Sequence, residues 1–185
     1  MFKHLFLFAF LICSAGCQVL KDSFHPDRLA IHSGYTFSEI KGENVRAVPS
    51  AIRFENNFHY LPRKYGKLNI GVEAFGLAVI EPNLNKIVGI TSMLRYSYPI
   101  TGRFSPYIEG GAGPIYLGFN TYEQERKGFS FYDQIGGGLE IKIYKRLHLI
   151  LGYRFTHISH GGLLSTRNRG LEGHTTIFGF SFELP

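Results

Sequence analysis

Three residue types near the C-terminal end of the sequence could carry out nucleophilic catalysis together. His157 and Ser159 stand two positions apart just after the apolar stretch LHLILGYRF, and Glu172 follows beyond a basic loop. A histidine can take the proton of a weakly nucleophilic serine hydroxyl, and a carboxylate can hold the imidazole in the required tautomer. Whether these residues act as a unit depends on the elements that position them.

Those elements are predicted to be short strands. The chain has 22 Gly, 17 Phe and 11 Tyr but no Trp, a composition that favours aromatic strands and tight turns over helices. An even number of alternating segments separated by turn residues is typical of an outer-membrane barrel. The eight segments are Leu29–Ser38, Ala51–Tyr60, Lys67–Val79, Lys86–Tyr98, Phe104–Leu117, Gly128–Tyr144, Leu147–His160 and Glu172–Leu184.

Each segment has an apolar face and a polar face, and the polar face carries charges of both signs. The apolar face is rich in Phe, Tyr, Leu and Ile, which suits contact with lipid. In a narrow barrel the charged side chains can fill the interior and pair with one another. We therefore predict an all-β fold, an eight-stranded antiparallel transmembrane β-barrel of the bacterial outer membrane. A soluble lipocalin-like barrel with an apolar interior is the alternative. The charged residues assigned to the interior are Arg53, Glu55, Glu73, Arg95, Glu109, Glu140, Lys142, Arg154 and Glu183.

The first residues indicate export. Residues 1–17 combine Lys3, an apolar run and the small residues before Cys17, which is the pattern of a signal peptide. Lipid attachment at Cys17 is the less favoured alternative to ordinary cleavage. Residues 18–28 are assigned to a periplasmic lead-in and residues 29–185 to the barrel. The net charge of +6 is mild, and no run of adjacent Lys or Arg forms a nucleic-acid footprint, so a nucleic-acid partner is disfavoured.

The alternation places the three candidate residues on one surface. His157 and Ser159 continue the apolar face of the seventh segment, and Glu172 begins the apolar face of the eighth. A hairpin joins these segments, so the three side chains should converge on the outside of the barrel near the external edge of the bilayer. Polar groups at that depth cost stability and therefore indicate a function. A substrate for them must lie in the outer leaflet, and an ester-linked acyl chain fits.

The stretch HISHGGLLSTRNRGLE resembles the active site of the PagL-type lipid A 3-O-deacylases, within the acyloxyacyl hydrolase group. That family carries a His-x-Ser followed by Asn-x-Gly-hydrophobic-Glu, read here as 157–159 and 168–172. The resemblance implies hydrolysis of the ester at the 3-position of lipid A in the outer leaflet and release of a 3-hydroxy fatty acid. It implies Ser159 as nucleophile, His157 as general base and Glu172 as the orienting acid, with lipopolysaccharide as substrate and no cofactor.

One residue departs from the family pattern. The family has Asn after the serine, where it helps to hold the oxyanion, and this chain has His160. By strict alternation His160 points into the lumen. The candidate donors to the oxyanion or substrate are therefore His160, Gly161, Gly162 and Asn168.

Other readings of the same residues stay open. His157, His160, Glu172 and His174 are types that bind metals, but the first two belong to opposite strand faces, which disfavours a shared ion. Arg167 and Arg169 are either solvated loop charges or contacts to lipid A phosphates. A non-enzymatic outer-membrane barrel with a structural, adhesion or protection role is the alternative function, and a soluble lipid carrier is a third. Whether the chain forms a homodimer is left open.

Overall fold

The computed structural model describes residues 25–40, 43–58, 66–120, 127–161, 163 and 170–185. These residues form a closed antiparallel barrel in which each strand pairs with the next and β8 pairs with β1. The predicted signal peptide lies outside the described residues, as does the lead-in up to residue 24. The strands are β1 (Arg28–Ile40), β2 (Glu43–Asn57), β3 (Lys67–Glu81), β4 (Asn85–Ser97), β5 (Phe104–Leu117), β6 (Gly128–Tyr144), β7 (Leu147–Ser159) and β8 (Leu171–Glu183).

The predicted segments match these strands closely, apart from the second. β5 and β6 have the predicted bounds, whereas β2 begins at Glu43 instead of Ala51. The early part of β2 contains Pro49, which has no N–H to donate and is therefore unfavourable in a strand. The β1–β2 ladder is interrupted there, with partners given up to Ser33↔Ser50 and again from Thr36↔Ala47. The strand continues through the proline because Pro49 keeps its pairing with Leu77 of β3.

The lumen contains a buried network of ion pairs. Arg154 binds both oxygens of Glu73, at 2.7 and 3.0 Å, and reaches Glu109 at 2.6 Å. Arg53 lies 2.8 Å from Glu109 and 2.8 Å from Glu55. Buried charges are tolerated only when they are paired and hydrogen-bonded. The prediction that the polar faces point inward and neutralise one another is therefore confirmed for this network.

A second lumenal layer is apolar, which the alternation of polar and apolar faces does not predict. It lies between the ion network and the barrel end that carries residues 118–127 and 160–170, which we call the loop end. These two layers, together with a smaller buried apolar cluster of Ala30, Tyr107, Ile150 and Ile177, fill the interior with side chains, as expected for eight strands. The apolar layer contains Val45, Ala47, Ala51, Phe75, Leu77, Val79, Ile87, Ile115, Leu117, Tyr132, Ile158 and Leu171.

The outer wall is formed by the alternate residues of each strand and is largely apolar. Exposed side chains on it include Ile52, Ile90, Ile108, Ile135 and Phe178. So large an apolar surface exposed on all sides of a barrel indicates a membrane environment, not water. No helix of the described ranges is long and apolar enough to cross a membrane. The opposite end of the barrel, with residues 98–103 and 145–146 between strands, is called the turn end.

Candidate functional site

The candidate catalytic side chains lie on the outer wall at the loop end. In β7 the lumenal positions are those of Arg154, Thr156 and Ile158, which are buried. His157 and Ser159 alternate with them and are half-buried on the outer wall. This placement follows from the period of two along a strand.

Glu172 meets His157 across the β7–β8 ladder. The two residues are direct register partners, and Glu172 is exposed on the same outer wall. Side chains directly opposite each other in an antiparallel pair have Cβ atoms about 4.5–5.5 Å apart. Ser159 lies two positions beyond His157 on the same face of β7. The structure therefore sets His157 opposite Glu172 in the ladder, with Ser159 two positions away on the same face.

A second carboxylate flanks His157 from the other side. Asp133 of β6 is the register partner of His157 and lies half-buried on the outer wall. The imidazole thus stands between Asp133 on one neighbouring strand and Glu172 on the other. Sequence reasoning missed Asp133, because nothing in the sequence states the β6–β7 register. The signal that could have found it is a lone acid among the apolar residues of the outward face of β6.

The start of β8 is anchored by side chains from both neighbouring strands. Ser38 of β1 donates a hydrogen bond to the backbone carbonyl of Glu172, and Thr156 of β7 donates to the carbonyl of Gly173 at 3.2 Å. These bonds fix the backbone that carries Glu172. The position of the carboxylate is therefore set from the lumenal side, although the carboxylate itself faces outward.

Two residues after Glu172 on β8, His174 lies on the outer wall and is enclosed by aromatic side chains. Its ring stacks on Phe37 with centroids 5.1 Å apart and meets the edge of Phe155 at 5.5 Å. Tyr153 OH forms a hydrogen bond with Nδ1 of His174. The aromatic contacts and the tyrosine together let an imidazole lie on an otherwise apolar wall.

The structure separates the members of the alternative metal site. His160 is fully buried on the lumenal side, at 0 % exposure, whereas His157 faces outward. Within the described part of the chain no three His, Cys, Asp or Glu side chains are placed to hold a metal ion.

Two of the four residues predicted to donate to the oxyanion, His160 and Gly161, lie within the described part of the chain. The imidazole of His160 lies on the face opposite Ser159, so the strand keeps its alternation through this position. Gly161 is exposed in a turn in which the Leu163 N–H donates to the His160 carbonyl at 2.9 Å. Gly162, Asn168 and the two loop arginines Arg167 and Arg169 lie outside the described residues.

Comparison with known proteins gives a family match over most of the barrel. The model of the lipid A 3-O-deacylase (PagL) family matches residues 51–181, a range that contains all three candidate catalytic residues. No match to a functionally curated protein sequence was found.

Two solved structures share the fold. Neisserial surface protein A superposes with a TM-score of 0.65 at 11% identity, over 85% of this chain and 96% of its own. The outer membrane enzyme PagL superposes with a TM-score of 0.58 at 17% identity, over 85% of this chain and 99% of its own. At these identities the likeness concerns the fold alone. It confirms the predicted eight-stranded outer-membrane barrel and removes the soluble lipocalin-like alternative.

Proposed function

Because the chain belongs to the lipid A 3-O-deacylase (PagL) family, we propose that it is a serine hydrolase that removes the 3-O-linked acyl chain of lipid A. The observation that carries the proposal is the direct pairing of His157 with Glu172 on the outer wall, with Ser159 next along the same face. An ester in the outer leaflet of the membrane can approach that wall from the side. A water-soluble substrate would not reach it so readily.

The proposed reaction has two steps. His157 takes the proton of Ser159 as the Ser159 oxygen attacks the ester carbonyl, and Glu172 stabilises the resulting imidazolium. The tetrahedral intermediate collapses, the 3-hydroxyl of the sugar leaves with the proton from His157, and the acyl chain stays on Ser159. Water, activated by His157, then hydrolyses this acyl ester and releases the 3-hydroxy fatty acid. All three side chains come from one barrel, so the chemistry needs no second copy.

The oxyanion of each intermediate needs hydrogen-bond donors aimed at it. The His160 side chain faces the lumen, so we assign this role to backbone N–H groups at Gly161 and Gly162 and to Asn168. Loss of a single such donor typically lowers the rate about a hundred- to a thousandfold.

The site is proposed to face the outer leaflet, where lipopolysaccharide lies. The loop end carries the site and the connections 118–127 and 160–170, and longer connections are external in bacterial outer-membrane barrels. An export signal over residues 1–17, removed by ordinary cleavage, would deliver the chain across the inner membrane.

Purified protein in detergent micelles tests the proposal. Wild type mixed with lipid A should release a 3-hydroxy fatty acid, and tandem mass spectrometry of the product should locate the lost chain at the 3-position. Ser159→Ala should release none above background. Ser50→Ala is the matched control, since Ser50 is also exposed on the outer wall but lies on β2, and it should react as wild type does. Release by wild type no greater than background would leave the non-enzymatic barrel as the function, and equal release above background by wild type and Ser159→Ala would remove Ser159 as the nucleophile.

A further inference from the structure

Gly170, the residue just before β8, lies against the imidazole of His157. Gly170 is buried and has a φ of +85°. A Cβ atom built on it would overlap Cε1 of His157 and would lie 2.8 Å from Nε2 and 3.0 Å from Nδ1. Real Cβ atoms do not approach other heavy atoms so closely, so the imidazole occupies the space that any side chain at position 170 would need.

Two independent effects therefore favour glycine here. The left-handed φ strains any L-residue that carries a Cβ atom. The overlap with His157 is separate, because the imidazole would have to move even if the backbone strain were accepted.

The corner of the ring that meets Gly170 is Cε1, which lies between the two nitrogens. Contact at this corner restricts rotation of the ring but takes up neither nitrogen. A general base held by an acid needs one ring nitrogen for the carboxylate and one for the hydroxyl, and this contact does not compete for either. The contact also comes from the segment that leads directly into Glu172, two residues further along the chain.

We propose that Gly170 is a positioning residue, a backbone wall that fixes the imidazole of His157 between Ser159 and Glu172. The inference rests on the proposed hydrolase function and adds the element that sets the geometry of the base. A group that must lie within hydrogen-bond reach of its partners loses rate when it is displaced, and a displacement of about 1 Å can cost about a hundredfold.

The test compares two alanine variants, each at a glycine with a positive φ. Gly170→Ala should lower kcat for lipid A about a hundredfold with little change in KM, because the base is displaced while lipid binding is left intact. Gly66→Ala is the control: Gly66 has a φ of +100°, and its Cβ would lie 2.7 Å from the Ser97 carbonyl and 2.8 Å from Tyr96 OH. The clash in Gly66→Ala is at the turn end, far from the site. Thermal stability should therefore fall in both variants, whereas kcat should fall only in Gly170→Ala.

A double variant isolates the contact. If Gly170 acts through the imidazole, adding Gly170→Ala to His157→Ala should leave the labelling rate of Ser159 by a fluorophosphonate unchanged. Should Gly170→Ala alone fail to assemble a heat-modifiable barrel, the double variant should assemble, because removal of the ring opens the space. An undiminished kcat in Gly170→Ala, or a further loss of labelling in the double variant, would overturn the inference.

A readout independent of catalysis separates this inference from the proposed function. The rate at which diethyl pyrocarbonate modifies His157, followed by peptide mapping, should change in Gly170→Ala and stay as in wild type in Gly66→Ala. If wild-type protein is inactive but Gly170→Ala has an altered modification rate, the hydrolase function is refuted and the contact stands. If wild-type protein is active but the two variants have equal modification rates and equal kcat, the positioning role is refuted and the hydrolase function stands.

Discussion

At the residue scale, the site is an imidazole on a lipid-facing wall with a carboxylate on each side. Glu172 and Asp133 are both register partners of His157, so geometry alone offers two acids that could orient it. The family match and the spacing of the Asn-x-Gly-Leu-Glu stretch favour Glu172. Among the described residues, Ser159 is the hydroxyl residue that follows His157 on the outward face of β7.

The carboxylates can be distinguished by isosteric amide variants. Glu172→Gln should lower kcat by about a thousandfold or more, because an amide cannot stabilise the imidazolium and can favour the wrong tautomer. Asp133→Asn should cost clearly less. Glu81→Gln serves as control, because Glu81 is an exposed partner of Arg46 in a surface ion pair and such pairs contribute little. Release of fatty acid from lipid A measures all three, and a larger loss for Asp133→Asn would transfer the orienting role to that residue.

At the scale of the strands, β8 is the element whose position decides the geometry. Its first residues are held by Ser38 from β1 and Thr156 from β7. Three positions before His157, β7 also carries Arg154, whose side chain is only 6% exposed in the ion network. The strand that carries the base is thus anchored in the lumen, and the strand that carries the acid is anchored by hydrogen bonds to its backbone.

A pair of serine variants tests whether the anchoring matters for catalysis. Ser38→Ala should lower kcat about fivefold, since the bond to the Glu172 carbonyl is worth about 1 kcal/mol. Ser33→Ala removes a bond of the same kind on the same strand, to the Pro49 carbonyl at 2.7 Å, but far from the site. Both variants should unfold at similarly lowered temperatures, and only Ser38→Ala should lose activity. A kcat loss shared equally by the two would contradict a local role for Ser38.

The strands and their faces could be predicted from alternation, whereas their register could not. The period of two places His157 and Ser159 outward and His160 inward, as the structure has them. Asp133 was missed because its pairing with His157 is set by the β6–β7 register. The contact between Gly170 and His157 was missed because it depends on the backbone angle of Gly170. The early part of β2 was missed because Pro49 is a poor strand residue when read in isolation.

At the scale of the whole molecule, the barrel is a filled support with its chemistry on the outside. The ion network and the apolar layer occupy the lumen, and the outer wall presents apolar side chains. Catalytic groups inside such a barrel would be out of reach of a membrane lipid. Groups on the wall at one end can meet a lipid that moves sideways within its leaflet.

The orientation of the barrel can be tested by cysteine labelling on intact cells. Leu163 at the loop end is 66% exposed, and Arg146 lies exposed at the turn end. In a Cys17→Ser background, Leu163→Cys should react with a membrane-impermeant maleimide from outside, and Arg146→Cys should react only after lysis. The reverse pattern would place the site at the periplasmic leaflet and remove lipopolysaccharide as the accessible substrate.

The most direct test of the central claim is the mass of lipid A from cells that produce the protein. Cells with the wild-type chain should contain lipid A lighter by one 3-hydroxyacyl group, and cells with Ser159→Ala at equal outer-membrane levels should contain the full-length form. Identical lipid A in the two strains, with both proteins folded, would contradict the account.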